Sequence, residues 1–387
     1  MSDRWYLIRT MTGEVGALLD GATGTWSDPL NGYGDLKVVV SRARLAEVER
    51  SWWAPWSGGL LVTRTTPHGE QPVYAGPITA PPEEAVDTVT LTAKGLGAIL
   101  ERREVLARDF AGLDPVPSGE AMSELARSVV PLTGRSLGTI MQDIVTLSTR
   151  AKVGGQLPIR FASPREVAST LNQRTYLGHN LANISCWKLL TELSEVINGP
   201  DFHLRAEWAA EDRSLIRWAL HHGTAAQPTI AQDWVLDIDT TAPKSVASGV
   251  SVKADAKDYA NRVYWTGAGE GEGVIVRVAQ APARLATYEP LLESVGSTSD
   301  SDNPDLIQEH AAAALAAGGT TVQVSLSVDS EDVRAQMGLW RVGDLARVTV
   351  AGWLNIPDGT HLLRIISASG TSGDPLVALE FQPDTVA

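Results

Sequence analysis

Asp237 and Asp239, in the run Asp237-Ile238-Asp239-Thr240-Thr241, are the pair of carboxylates best spaced for catalysis in this chain. An Asp-x-Asp-x-Thr run gives some phosphotransferases a nucleophilic aspartate and, two residues on, an acid/base aspartate, with Mg²⁺ between the first carboxylate and the phosphate. That chemistry also needs a lysine and further carboxylates at the ends of neighbouring parallel strands. Trp234, Val235 and Leu236 lead into the run as a strand would, but the helix–strand alternation that builds a parallel sheet is missing on both sides. A solvated strand end is the simpler reading, with a phosphotransferase using Asp237 and Asp239 as the alternative.

Gly267-Ala268-Gly269-Glu270-Gly271-Glu272-Gly273 has the glycines of a phosphate cradle. A cradle presents backbone N–H groups at a helix start, whereas Val263 to Trp265 leads in here and Val274 to Val278 leads out as a strand. Glu270 and Glu272 would also repel phosphate. The stretch therefore reads as a hairpin tip, and Gly267, Gly269, Glu270, Gly271, Glu272 and Gly273 are candidates for an interface. His221 and His222 are adjacent, so a strand would point them to opposite faces, and no further ligand stands at a metal-site spacing. Asp300, Asp302 and Asp305 crowd together without the glycine and terminal glutamate of a calcium loop. Capping of a helix that starts at Pro304 explains them. No His-Glu-x-x-His, Cys-x-x-Cys or Gly-x-Ser-x-Gly occurs, so the expectation is no catalytic residue, no cofactor and no metal.

The twelve tryptophans outnumber the four phenylalanines, and Trp52, Trp53 and Trp56 cluster around Pro55 ahead of Ser57-Gly58-Gly59. Aromatic clusters on loops serve interfaces, sugar stacking or an ordinary core. The adjoining turn residues favour a subunit or partner contact, and a carbohydrate-binding receptor module is the alternative.

The elements that must position these residues are mostly strands. From Arg4 to Ala80 the chain reads as short strands broken by Gly, Pro and Asp, such as Asp35 to Val40 and Leu60 to Thr65. Pro115 and Pro117 then mark a change, and Ser118 is placed as the cap of a helix carrying Met122, Leu125, Ala126, Val129 and Val130 on one face. A second helical stripe runs Leu137, Ile140, Met141, Ile144, Val145. A third runs Trp187, Leu190, Leu193, Val196, Ile197 and stops at Asn198-Gly199-Pro200. Phe202, Leu204, Ala206 and Trp208 alternate, Glu211-Asp212 turns, and Ile216, Trp218 and Leu220 alternate back, which predicts a hairpin. Asn303 and Pro304 open one late helix containing Ala311 to Ala317, and strands follow from Thr320. The order is β, then α, then β: an α+β chain, mainly β, with a helical insert.

At 387 residues and 43% hydrophobic the chain can bury proper cores. It has no run of about 18 or more apolar residues and no membrane segment is expected. Its first residues have neither a basic nor an apolar leader region, which points to synthesis in, and retention by, a cytosol. The single cysteine, Cys186, excludes an internal disulfide and reads as inert packing on a helix. A net charge of −14 argues against nucleic-acid binding.

One stretch carries a resemblance. Gln71 to Gly76 brings Val73, Tyr74 and Ala75 into a glycine, and Pro81-Pro82-Glu83-Glu84 makes a connection. Val89, Leu91 and Ala93 then alternate with Thr90 and Thr92, and Gly95-Leu96-Gly97-Ala98-Ile99-Leu100-Glu101-Arg102-Arg103 forms a short helix. This order resembles the N-terminal barrel of minor tail proteins of actinobacterial long-tailed phages, similar to the baseplate or tail-tip hub. Ala260 to Gly267 resembles that family's central hairpin, Asn198 to Phe202 its helix stop before a strand, and Trp340 to Val348, with its Val342-Gly343-Asp344 turn, its C-terminal barrel.

The resemblance implies two tail-tube-like β-barrel regions and a structural virion protein of the tail tip, made in the host cytoplasm. Residues 1–116 would form an N-terminal barrel region, 117–200 a helical insert, 201–285 a hairpin region completing the hub core, and 286–387 a helix with a C-terminal barrel. It implies a homotrimer whose ring is pseudo-sixfold and seats on a hexameric tail tube. The expected partners are a distal tail protein, the tube or tape measure protein, and tail fibres or receptor-binding proteins. DNA would pass through the channel without specific binding, and an acidic wall would keep it sliding.

Overall fold

Alternation decides most of the strands. In the computed structural model, which describes residues 3–67, 69–113, 119–256, 259–269, 271–281, 290–298, 302–318 and 321–383, Thr88–Lys94 buries Val89, Leu91 and Ala93 and turns its threonines outward. Asp35–Ser41 does the same with Leu36, Val38 and Val40. These two strands pair antiparallel within a ten-stranded sheet. Its order runs Ala247–Asp255, Thr321–Asp329, Leu376–Pro383, Gly359–Thr371, Thr23–Pro29, Asp35–Ser41, Thr88–Lys94, Glu83–Glu84.

The 13-residue strand Gly359–Thr371 holds this sheet together. Its first half pairs with Leu345–Val350, which in turn pairs parallel with Leu236–Asp239. Its second half pairs with Thr23–Pro29, so segments from opposite ends of the sequence share one ladder. A register shift between Ile365 and Ser367 marks the change of neighbour, as an extra residue bends one strand relative to its partner. Among the described residues no strand pairing closes a sheet into a ring.

A four-stranded sheet, ordered Val15–Leu18, Asp3–Arg9, Gly58–Thr66, Gly69–Pro77, separates two cores. Leu7, Leu60, Val62 and Tyr74 face the core of the large sheet, with Val38, Leu91, Val348, Ile365 and Phe381. Ile8, Leu61 and Ala75 face the other way, onto Ile140, Ile144, Leu190, Phe202 and Trp218. A strand buried on both faces has no polar side to show, hence the unbroken Leu60-Leu61-Val62. The Tyr74-Ala75-Gly76 step has its own cause. A Cβ at Gly76 would lie 1.8 Å from the Lys94 carbonyl oxygen, and one at Gly95 would lie 2.1 Å from the Tyr74 hydroxyl. That hydroxyl accepts from the Gly34 amide at 2.6 Å, so two glycines and a tyrosine fasten the sheet crossing.

The mainly β architecture with few helices is the one expected, and Leu137–Ser148, the Phe202–Trp208/Ile216–His222 hairpin and Pro304–Ala317 form where the periodicity places them. Ser136 caps the first of these helices and Asn303 the last, its Oδ1 accepting from the amides of Asp305 and Leu306. Two expectations are corrected. The stripe from Met122 to Val130 is not one helix: Gly119–Arg127 is a 3₁₀ turn, and Val129–Arg135 leaves as a strand paired with Asn172–Leu177. β-Branched Val129 and Val130 before Pro131 favour that exit, and the expected cap, Ser118, lies outside the described residues. The helix Cys186–Ser194 ends before Val196 and Ile197, and Asn198 takes a left-handed φ of 56° to turn the chain.

Candidate functional site

Leu236–Asp239 is exposed at every second position, which puts both aspartates on the solvent side. Asp237 faces Arg347 across the parallel ladder, with Oδ2 3.5 Å from Nη2. Asp239 Oδ1 accepts from the Thr241 amide at 2.8 Å and hydroxyl at 2.6 Å, bonds that hold its carboxyl below the usual range. Each carboxylate is therefore occupied by a local structural task. Among the described residues no group of three or more His, Cys, Asp or Glu could hold a metal ion.

Arg262–Thr266 and Val276–Gln280 form the antiparallel hairpin read from the sequence, with Gly267 donating to the Ile275 carbonyl at 2.7 Å. Gly269 needs its glycine, since φ is +133° and a Cβ would sit 2.4 Å from the Gly273 carbonyl oxygen. Gly271, Glu272 and Gly273 are exposed at the tip, and Glu270 lies outside the described residues. The chain leaves this loop as a strand, so no helix N-terminus is aimed at it.

Trp52, Trp53 and Trp56 are half-buried, and each has a ring face covered by a guanidinium: Arg9 at 4.4 Å from Trp52, Arg50 at 5.5 Å from Trp53 and Arg102 at 4.4 Å from Trp56. Trp53 Nε1 donates to the Val48 carbonyl, and Trp52 and Trp53 pack against the large core. One ring face of each tryptophan is thus taken up within the chain, which makes the cluster a rigid aromatic ridge.

Of the adjacent pair, His222 is buried and His221 half-buried. His222 hydrogen-bonds Gln142 Nε2 and the Gly223 carbonyl, and burial lowers its pKa. Burial pushes His221 down to about 3, and pushes the Cys186 thiol up to about 12. Asp300 lies outside the described residues, while Asp305 stands in the first turn of the helix that Asn303 caps.

Sequence reasoning missed two features. One is a buried polar joint beneath the hairpin: His203 Nε2 meets Asp28 Oδ1 at 2.7 Å, Arg364 donates to Asp201 at 2.7 Å, and Arg205 donates to the Val342 carbonyl at 2.9 Å. No periodicity could pair residues so far apart in sequence. The other is exposed apolar surface. Val278 and Val295 flank Tyr264 on the outer face of a three-stranded sheet, and Trp353 and Leu354 stand at a turn tip with Leu354 wholly exposed. The Gly352-Trp353-Leu354-Asn355 run carried that second signal.

No protein-family model matches the chain, and no curated protein does. Among the solved structures that match it are two whose own chains it also covers almost completely. The tail protein from Neisseria meningitidis MC58 has 13% sequence identity and a TM-score of 0.55, with 100% of this chain and 98% of that chain covered. The 43 kDa tail protein of prophage MuSo2 from Shewanella oneidensis has 10% identity and a TM-score of 0.57, with 98% of each chain covered. This chain has the fold of those tail proteins. On the tail-protein fold the residues singled out in the sequence lie on strand ends, a hairpin tip and a half-buried ridge rather than around one cleft. No helix among the described residues is long and apolar enough to cross a membrane.

Proposed function

We propose that this chain is a structural component of a phage tail, a tail-tip hub that closes the distal end of the tube and carries the distal tail and receptor-binding proteins. The observation that carries this reading is the full-length likeness of its fold to two tail proteins. Its action is mechanical: the chain holds a channel and presents surfaces, and no single side chain is catalytic. The ring is a homotrimer, with residues 117–200 as the insert; the strands of 1–116 and 286–387, expected as two barrel regions, share one ten-stranded sheet. Actinobacterial phages are the source that the sequence resemblance favours.

The interface falls on Trp52, Trp53 and Trp56, on the hairpin tip from Gly267 to Gly273, and on the exposed apolar surface at Val278, Val295 and Leu354. Contiguous exposed apolar surface rimmed by polar groups is a mark of protein contacts. The net charge of −14 suits a wall past which DNA moves without sticking.

Native mass spectrometry of the purified chain, read with low-resolution images of the same particles, tests the proposal. A three-subunit ring supports it. A hexamer would assign the chain to the distal tail ring instead, and a monomer that does not join purified tail tubes would overturn the hub reading.

A further inference from the structure

The strand Gly359–Thr371 carries a knob before one end and a hollow at the other. The connection from Val350 to Gly359 closes a hairpin and lifts Trp353 and Leu354 off the molecule, with Leu354 wholly exposed. The tip is held in place: the Gly352 amide donates to Asp358 Oδ1 at 2.6 Å, His361 Nε2 lies 2.7 Å from the Pro357 carbonyl oxygen, and Ile356 is buried in the large core. Trp353 and Leu354 add nothing to that fixing, and tryptophan is among the residues that most often anchor a protein contact. At the other end, Ser369 stands opposite Ala378 and Ala378 opposite Ser327, one row on the face of the sheet turned away from the core. With Thr371, Asp374 and Leu376 these residues line a hollow. It leaves about 300 Å³ open to the centres of water-sized spheres. One water needs about 10–15 Å³ by that measure, so the hollow has room for a large side chain.

We propose that Trp353 and Leu354 of one copy seat in the hollow of the next copy, joining the copies head to tail. This rests on the homotrimer reading above and names the contact that builds it. The occupant is a second copy because the chain carries both halves and cannot join them itself. From Gly359 to Ser369 the strand runs about 30 Å at a strand's rise per residue, and the tip lies beyond the Gly359 end. A contact between two different patches passes from copy to copy until the rotation closes a ring. The chemistry is complementary. The body of the indole and Leu354 cover Ala378 and Leu376, and the indole N–H finds acceptors in the serine and threonine hydroxyls and the Asp374 carboxylate. Two side chains anchor an interface without being the whole of it, since a stable contact buries about 1,200–2,000 Å².

Mixing two variants of the full chain tests it. Trp353→Ser with Leu354→Ser removes the tip, and Ala378→Trp fills the hollow; all three positions are exposed, so each variant should keep its unfolding midpoint. Each alone should lose the ring in native mass spectrometry. The mixture keeps one good contact, from the tip of the second variant to the hollow of the first, and should give a one-to-one dimer. A mixture that stays monomeric, or a variant that keeps the trimer, would overturn the proposal. Cross-linking reads the same contact. Cys186 is buried and is the one cysteine, so Leu354→Cys with Ala378→Cys under mild oxidation should link copies in a ladder ending at the trimer, while neither single variant links. An unlinked double variant would overturn the contact, and Leu354→Cys linking to itself would make it symmetric and refute the head-to-tail join. A trimer with unlinked cysteines leaves the hub reading standing without this contact, whereas linked copies that do not join tail tubes keep the contact and remove the hub.

Discussion

Replacing Arg64 by Met should be among the most damaging single changes in the chain. The Arg64 side chain is 3% exposed and that of its partner Asp3 0% exposed, joined by two parallel bonds, Nε to Oδ1 at 2.6 Å and Nη2 to Oδ2 at 3.0 Å. The same guanidinium donates to Ser330 Oγ at 2.6 Å and to the Asp374 carbonyl at 3.2 Å, which ties the first strand to the C-terminal sheet. Arg64→Met keeps the stem and strands the carboxylate, and breaking a buried pair from one side costs about 3–5 kcal/mol. That is about two to nearly four powers of ten in the folded-to-unfolded ratio. Adding Asp3→Leu removes the stranded charge, and because Ser330 Oγ still donates to the Pro375 carbonyl the double variant should recover most of the loss. Urea unfolding followed by tryptophan fluorescence, with all four corners of the cycle measured, gives the coupling. A single-variant loss below about 1 kcal/mol, the level of an exposed pair, would refute the burial argument.

Other outcomes can be checked in the same way. His310, stacked on Trp265 at 5.3 Å, is pushed down to about 4 by burial, with Arg174 adding to the effect. The unfolded chain then binds its proton first, so stability should fall as pH drops from about 6.5 towards 4, by at most about 1.4 kcal/mol per pH unit, and His310→Phe should flatten that slope in pH-dependent urea melts. Gly76→Ala drives a Cβ into the Lys94 carbonyl, and should destabilise by about 1–3 kcal/mol in thermal melts, whereas Gly21→Ala, with nothing within 4 Å but a φ of +71°, should show backbone strain alone. Trp353→Ser with Leu354→Ser should leave the unfolding midpoint within about 0.5 kcal/mol and reduce the oligomer seen by native mass, and an unchanged oligomer would remove that tip from the interface.

Much of the fold was legible because its strands bury one face. Val89, Leu91 and Ala93, or Phe202 and Leu204 against Trp218 and Leu220, announce themselves by period alone. Val129 and Val130 misled because a short apolar run fits either period, and what decides it, pairing with Tyr176 and Leu177, is invisible locally. The site residues were legible only as candidates. Asp237 and Asp239 had the spacing of a catalytic pair, and what sets their roles is Arg347, brought up to Asp237 by a parallel ladder, and Thr241, which donates to Asp239. The Asp28–His203 and Asp3–Arg64 contacts join residues that no local pattern relates.

The pairing of Thr23–Pro29 with Gly359–Thr371 also sets a clock. Pro29 lies opposite Ser367, so the ribosome must complete nearly the whole chain before the early strand meets its neighbour. At roughly 5–20 residues per second that wait is on the order of 20–70 s. Throughout it one edge of the nascent sheet, with Thr25, Ser27 and the backbone of Trp26, lies open to any other chain emerging nearby. Crowded synthesis would make that exposure a yield problem. Fragments ending before Gly359 should accumulate as aggregates or require a chaperone, however sound their own hydrophobic faces.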